Sequence, residues 1–302
     1  MISTHLMGGL GNQMFQLFCG MATALRNDRP FVVTSTYLKN FNGRDDRPTY
    51  WDTMFSGLCR HIKYVVNLPD TYQIREQGFH YTPITTAPIL IGRNIMLNGY
   101  YQSEKYFKDQ FDQIYSMCKF RDMQNKVLLK YRTKQNIHSA SINPMANTIS
   151  IHFRLGDYKN LTHVHPIMSY EYYHNALTHI LNNLCELNGD IPTRTQPIYK
   201  VIYFCEEEDL SFVATIIDKL LREFGSRCLF ERADPSYSDW EQMLFMGCCE
   251  HHIIANSSFS WWGAYLNRNP TKIVCYPSVW FGQHVNHDTS DLCPPEWIQI
   301  SA

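Results

Sequence analysis

The chain has 302 residues, which sets a prior of two domains of about 150 each, and 44% of them are hydrophobic while 18% are charged. That balance supports real cores and excludes a disordered chain, and the net charge of -1 argues against nucleic-acid binding, which draws on a basic excess. No apolar run reaches the ~18 residues of a membrane span, so no integral membrane segment is expected.

The ten cysteines include no C-x-x-C pair, and most sit in apolar stretches such as VIYFC and KIVCY. They read as core thiols in a reducing compartment. Met1 to Leu6 leads straight into Gly8 and Gly9 without the basic and apolar regions of a signal peptide. A cytoplasmic protein, or one peripheral to a membrane, is expected.

In chain order, Ile2 to Leu6 reads as a short strand, followed at once by GGLGNQMF. From Met14 the apolar residues fall at Met14, Phe18, Met21 and Leu25, one face of a helix. A strand, a Gly-rich turn and a helix start let the backbone approach an anion and offer it unpaired N–H groups. The turn fails the dinucleotide fingerprint, because Gly9 and Gly11 lack a third glycine and no acid is well placed after Phe31 to Thr34. Asn12 and Gln13 either cap the helix or hold a polar ligand.

FNGRDDRPTYWD reads as a polar loop and YTPITTAP as extended chain. In LNGYYQSEKYFKDQFDQIY, Ser103 with Tyr106, Phe107 and Phe111 suggests one capped amphipathic helix. Tyr100, Tyr101 and Gln102 line an acceptor site or belong to an aromatic core. Residues 132–147 are polar and aperiodic and read as the linker between domains.

The second half alternates strand and helix: strands at 149–153, 199–205, 228–231, 252–255 and 272–276, with helices near 173–184, 213–224, 239–250 and 259–267. Such alternation argues for a parallel sheet covered on both faces. Three strand ends carry polar groups. ISIHFRLGDY ends in Arg154, Gly156 and Asp157, where the arginine is a fork for phosphate or the partner of Asp157 in a loop-fixing ion pair. YKVIYF ends in Glu206 and Glu207, readers of a guanine edge or simply an acidic first turn of a helix. IIANSSFSWWGAYLN crowds Asn256, Ser257, Ser258 and Ser260 into a strand-to-helix turn, able to hold a phosphate or to cap the helix.

Taken together, GGLGNQMFQ, GYYQSEKYF, HFRLGDY and IIANSSFSWWGAYLN, in that order, resemble the inverting alpha-1,2-fucosyltransferases of bacterial and viral type, from Leu6 nearly to the C-terminus. The resemblance implies an α/β fold of two Rossmann-like domains facing a cleft (GT-B-like): 1–140 on the acceptor side and 141–302 binding the GDP-sugar. It also implies a metal-independent enzyme without a cofactor, moving L-fucose from GDP-fucose to the 2-hydroxyl of a galactose-containing glycan. By the same resemblance Arg154 binds the donor pyrophosphate and His152 lies against the nucleotide. Glu206 and Glu207 stand where relatives often carry two aspartates that look like guanine readers. Ser258 and Ser260 hold the β-phosphate, and Gly11, Asn12 and Gln13 line the cleft from the other domain. The chain departs from the family where a second arginine usually follows the first: here that residue is Leu155.

Breaking the bond from fucose C1 to GDP builds negative charge on the β-phosphate, which Arg154, the serine turn and helix N-termini stabilise as prearranged donors. No D-x-D is present. Asp157 is the first candidate for the base that takes the acceptor proton, with His165 and Asp239 as fallbacks, unless a dissociative transition state needs no strong base. The alternatives are a transferase for another GDP-sugar or acceptor and a non-catalytic sugar-nucleotide or glycan-binding protein.

Overall fold

A computed structural model describes residues 1–34, 48–65, 67–85, 92–139, 142–188 and 197–302. The chain forms two compact units, Met1–Met123 with His287–Pro294, and Gln124–Asn286 with Pro295–Ala302.

In the first unit, β1 (Ile2–Thr4), β5 (Asn94–Asn98) and β4 (Thr71–Arg75) form a parallel sheet in the order β1-β5-β4, and β2 (Val32–Thr34) pairs in parallel with β3 (Lys63–Val65). Helix α1 (Leu10–Arg26) packs on β1. Phe15, Leu17, Phe18 and Met21 are all buried, so the helix is covered on nearly every side rather than along one stripe.

The single helix expected from Ser103 is broken up. The Ser103 hydroxyl accepts from the Lys105 N–H (3.3 Å), capping a 3-10 turn at Glu104–Tyr106, and a second 3-10 turn spans Lys108–Gln110. Between them Phe107 leaves helical geometry at φ -145 and buries its ring 5.4 Å from Phe18. Helix α2 (Phe111–Cys118) follows and ends at Lys119, which has φ +58. The segment 287–294 is fixed by Asp291, which accepts from the Tyr81 N–H (3.1 Å) and pairs with Lys105. Residues 41–47 of the expected polar loop and 86–88 of the expected extended stretch lie outside the described residues.

Helix α3 (Phe120–Lys134) runs into the stretch read as a linker, of which residues 140 and 141 lie outside the described residues. The sequence divides the domains between 140 and 141, whereas the compact units change over after Met123. From Gln124 onward α3 is bound into the second unit. Tyr131 packs its ring 4.9 Å from that of Phe245 and accepts from Lys200 Nζ at 2.8 Å.

The second unit holds one six-stranded, wholly parallel sheet of β6 (Thr148–His152), β7 (Tyr199–Phe204), β8 (Cys228–Arg232), β9 (His251–Ile253), β10 (Val274–Pro277) and β11 (Ile298–Ile300). Its order is β11-β10-β9-β6-β7-β8. Helix α4 (Tyr170–Asn188) packs on β9, β10 and β11, and α5 (Leu210–Phe224) on β8. Helices α6 (Asp239–Met246) and α7 (Ser258–Tyr265) pack on each other, closely enough that a Cβ at Gly263 would run into Met246.

Every residue of β6 is buried, as expected of a central parallel strand. Ile149, Ile151, Phe153 and Leu155 all join a core with Tyr172, Tyr173, Leu177 and Val213. Leu155 is 2% exposed, so the residue that departs from the family pattern is a core residue here, and its burial stabilises the fold by about 2 kcal/mol. Ser150 alternates with that set and is also buried. Its hydroxyl lies 2.7 Å from His252 Nδ1, while Asn267 Nδ2 lies 2.8 Å from His252 Nε2.

Among the described residues no helix is long and apolar enough to cross a membrane. All ten cysteines are free thiols, and Cys59 is the exposed one.

Candidate active site

Read from β8, the strand order is 3-2-1-4-5-6, that of a doubly wound nucleotide-binding sheet. The winding reverses between β6 and β9, which pair directly through Ile149–His251 and Ile151–Ile253. In open parallel sheets the crevice beyond the strand ends at such a reversal is where ligands bind. Two of the polar strand ends singled out from sequence flank this point, and the third follows β7, the next strand. The Tyr158 hydroxyl, in the loop after β6, donates to the Asn256 carbonyl after β9 (3.2 Å) and ties the two together.

Arg154 is the centre of the first strand end. Its guanidinium donates to Glu206 Oε1 (2.9 Å) and to Asp157, and lies 4.8 Å from the centre of the Tyr158 ring. One side chain thus carries both an ion pair to its own loop and one to the loop after β7, with an aromatic floor. Gly156, at φ +37, lets the loop pass close to Glu206, whose Oε2 would be 2.9 Å from an added Cβ. The Gly156 N–H donates to the buried Asp209 (2.9 Å), which also pairs with Lys159. Glu207 is paired separately, with Arg232 at 2.7 Å.

Glu206, Glu208 and Asp209 bring carboxylate oxygens within 4.8 Å of one another. Two of these three already face cationic side chains, Arg154 and Lys159. A divalent ion there would compete with those charges.

At the third strand end the four polar residues separate by role. Ser257 caps α7, its hydroxyl accepting from the Phe259 N–H (3.3 Å). Ser260 is fully buried and donates to the Ala255 and Ser257 carbonyls. Asn256 is buried, with Nδ2 donating to the Pro166 and Trp280 carbonyls (3.0 and 3.1 Å) and Oδ1 without a hydrogen-bond partner among the described residues. Ser258, the first residue of α7, is half-buried. The first backbone N–H groups of α7 lie at the strand end after β9, beside the reversal point, where a helix start offers donors to an anion.

His152 closes β6 beneath this turn, buried, with its ring 5.4 Å from Phe259. Burial, reinforced by the Arg154 charge, pushes its pKa down to about 3, so it is neutral. Its packing is that of a ring under the site rather than one on its surface.

The three base candidates differ in setting. Asp157 is committed to Arg154. Asp239 is exposed in the first turn of α6, where its carboxylate accepts from the Trp240 N–H (2.7 Å). His165 stacks on Tyr158 (4.4 Å, 14°) and has Phe281 5.6 Å away; burial lowers its pKa, and the Arg154 charge adds to that against the opposing pull of Asp157.

The first unit carries a polar group of another kind. Gly8 has φ +76, and a Cβ there would lie 2.5 Å from Asn12 Nδ2, so glycine lets the chain turn tightly into α1. Gly11 is buried in the first turn of the helix. Gln13 Nε2 donates to the Gly8 and Pro48 carbonyls (both 3.0 Å), leaving buried Oε1 without a partner among the described residues. Asn12 Oδ1 accepts from Gln102 Nε2 (2.9 Å). Sequence reasoning missed Tyr158, Lys159 and Asp209 in the second unit and Glu76 in the first. Tyr158 closes the motif HFRLGDY and Asp209 ends the acidic run, so both had a local signal; Glu76 had none.

A family model described as glycosyl transferase family 11 matches residues 84–301. The chain is 25% identical to the Escherichia coli O-antigen biosynthesis glycosyltransferase WbnK, over 98% of this chain and 99% of that protein. It is 23% identical to an Escherichia coli alpha-1,2-colitosyltransferase, over 99% and 98% respectively. Among solved structures, the GDP complex of an Arabidopsis thaliana FUT1 variant matches with a TM-score of 0.49 and 10% identity, over 90% of this chain and 69% of that one. With the family model covering most of its length, the chain belongs to glycosyl transferase family 11.

Proposed function

We propose that this glycosyltransferase moves L-fucose from GDP-fucose to the 2-hydroxyl of a galactose in a glycan, with inversion and without a metal ion. The observation that carries the reading is the meeting of Arg154, Glu206 and the start of α7 around the β6–β9 reversal. As the C1–O bond of the donor breaks, charge accumulates on the β-phosphate oxygens. The guanidinium of Arg154, the α7 N–H groups and the Ser258 hydroxyl stabilise it as donors already in place. Diphosphate takes over the guanidinium fork from Asp157 and Glu206, which frees Glu206 to accept from the N1 and N2 groups of guanine, with Glu207 and its Arg232 partner beside it. Asp157, released in the same exchange, takes the acceptor proton. The first unit supplies acceptor recognition through Asn12, Gln13 and Gln102.

A second reading keeps the reaction and changes the sugar. The relative named a colitosyltransferase, 23% identical over nearly the full length, supports a test of colitose as the transferred group. Purified protein is incubated with GDP-fucose, GDP-colitose or GDP-mannose, EDTA and a panel of β-galactosides, and GDP release is followed beside Arg154→Ala. Acceptor-dependent release from GDP-fucose that survives EDTA and is lost in the variant is the expected outcome. Preference for another donor replaces the sugar assignment, and loss of turnover in EDTA removes the metal-free mechanism.

A further inference from the structure

We propose that Glu76, just past the end of β4, is a positioning residue that sets the acceptor-recognition surface of the first unit; this deepens the transferase reading above and rests on it. The Glu76 carboxylate accepts from two consecutive backbone N–H groups, Tyr100 at 2.7 Å and Tyr101 at 2.9 Å. Burial pushes its pKa up, and these two donors work against that rise. A carboxylate placed across adjacent amides fixes the peptide between them in one orientation.

That peptide needs fixing. Tyr101 sits at φ +52, the left-handed region that a bulky side chain seldom occupies. Its ring is buried, its hydroxyl donates to the Ile74 carbonyl (3.0 Å), and Tyr106 packs edge-on at 5.2 Å. Gly99 has no Cβ because one would run into Glu76 itself. Residues 99–101 and Glu76 thus form a matched set: a glycine that makes room, a carboxylate that fills it, and a strained tyrosine held by both its backbone and its ring.

The set delivers two groups suited to a sugar. Tyr100 is left with 38% of its surface exposed, a flat face for the C–H side of a pyranose. Gln102 is brought to Asn12 at the start of α1, joining two neutral amides that offer both donors and acceptors to hydroxyls. The neighbouring Gln13 Oε1, 3% exposed at the residue level and without a partner among the described residues, adds a buried acceptor to the same helix turn. The ligand class this chemistry fits is an uncharged glycan.

The test uses full-length wild type, Glu76→Gln and Gly99→Ala, with GDP-fucose as donor and lactose and N-acetyllactosamine as acceptors. Glu76→Gln keeps the shape and leaves one of the two N–H groups facing an amide NH2. The expected result is an acceptor KM about tenfold higher with the GDP-fucose KM and the acceptor-free hydrolysis of GDP-fucose unchanged. Faster hydrogen exchange at the Tyr100 and Tyr101 amides accompanies it, and Gly99→Ala shows the same split. Donor and acceptor constants changing together with the melting temperature, or unaltered exchange at those two amides, overturns the proposal. If wild type fails to consume GDP-fucose, the transferase reading fails instead, and the exchange measurement still decides whether Glu76 holds the turn.

Discussion

The two units handle polarity in opposite ways. The second gathers ion pairs at its strand ends: Arg154 with Asp157 and Glu206, Lys159 with Asp209, Arg232 with Glu207. The first presents neutral amides, and the half-buried carboxylate of Glu76 spends both oxygens on backbone N–H groups. Charged forks suit an anion whose charge grows during reaction, while amides suit hydroxyls that stay neutral. The contrast teaches that two units of one chain can offer ligands different chemistry, charge in the second and neutral donors and acceptors in the first.

The largest expected effect tests whether position 155 belongs to the charged site or to the core beneath it. Leu155→Arg restores the residue more usual in the family pattern but places a cation at a 2% exposed position. A loss of about 3–5 kcal/mol in unfolding free energy is expected from an uncompensated buried charge. Chemical denaturation measures it; a stable variant with tighter GDP-fucose binding would move Leu155 into the site.

Acid should weaken the second unit first. Burial lowers the pKa of His152 to about 3, of His251 to about 4, and of His252 well below its ordinary value. Below pH 6.5 the unfolded chain takes up protons that these folded-state rings refuse, so stability falls as pH falls, and the loss continues toward pH 4. Each ring contributes up to about 1.4 kcal/mol per pH unit, and the three together up to about 4. Hydrogen exchange or denaturation followed between pH 6.5 and 5 should show unit-two amides losing protection before those of the first unit, where burial also lowers the pKa of His5. Simultaneous loss in both units would erase the contrast.

Arg154→Ala should lower turnover by about 10²–10³-fold, the scale of one lost transition-state donor, while Tyr158→Phe, which keeps the ring under the guanidinium and drops the bond to Asn256, should cost much less. Rate measurements at saturating donor and acceptor separate the two. The smallest effect distinguishes structural from ligand-facing serines. Ser260→Ala should cost about 1 kcal/mol of stability without altering the donor KM, because its hydroxyl is spent on the Ala255 and Ser257 carbonyls. Ser258→Ala should do the reverse, raising the donor KM with little change in the melting curve.

Much of this was legible because β6 to β10 carry their apolar residues in short runs between helices of regular period, whereas β11, three residues long and with no helix before it, was not read as a strand. The alternation alone gives the parallel sheet, and the polar residues fall at strand ends where such sheets bind ligands. The N-terminal unit read poorly for physical reasons. Its strands are short, and Phe107 breaks what looks like a continuous helix in order to bury its ring. At the junction of the two units, helix α3 buries Phe120, Gln124, Val127 and Tyr131, a helical stripe that a hydropathy pattern under-reads because one member is an amide. Sequence placed Arg154, Glu206 and the serine turn at strand ends, where the structure also has them, but did not show which serine is consumed by capping. The Ser257 hydroxyl caps α7 and the Ser260 hydroxyl donates to the Ala255 and Ser257 carbonyls, roles decided by the helix start itself. Glu76 was invisible because its partners are backbone atoms, which leave no pattern in side chains.

The excursion of residues 287–294 into the first unit has a consequence for how the chain is made. Asp291 holds the Tyr81 backbone and Lys105, residues synthesised some two hundred positions earlier. The edge strand β11 likewise joins the large sheet only after β10 and the excursion have been completed. A nascent chain emerging from the ribosome therefore carries two unfinished bodies until residues 287–300 have emerged, with unpaired strand edges exposed until then. Removal of residues 287–302 would strike both units at once, and production of the enzyme in quantity should depend on chaperone capacity.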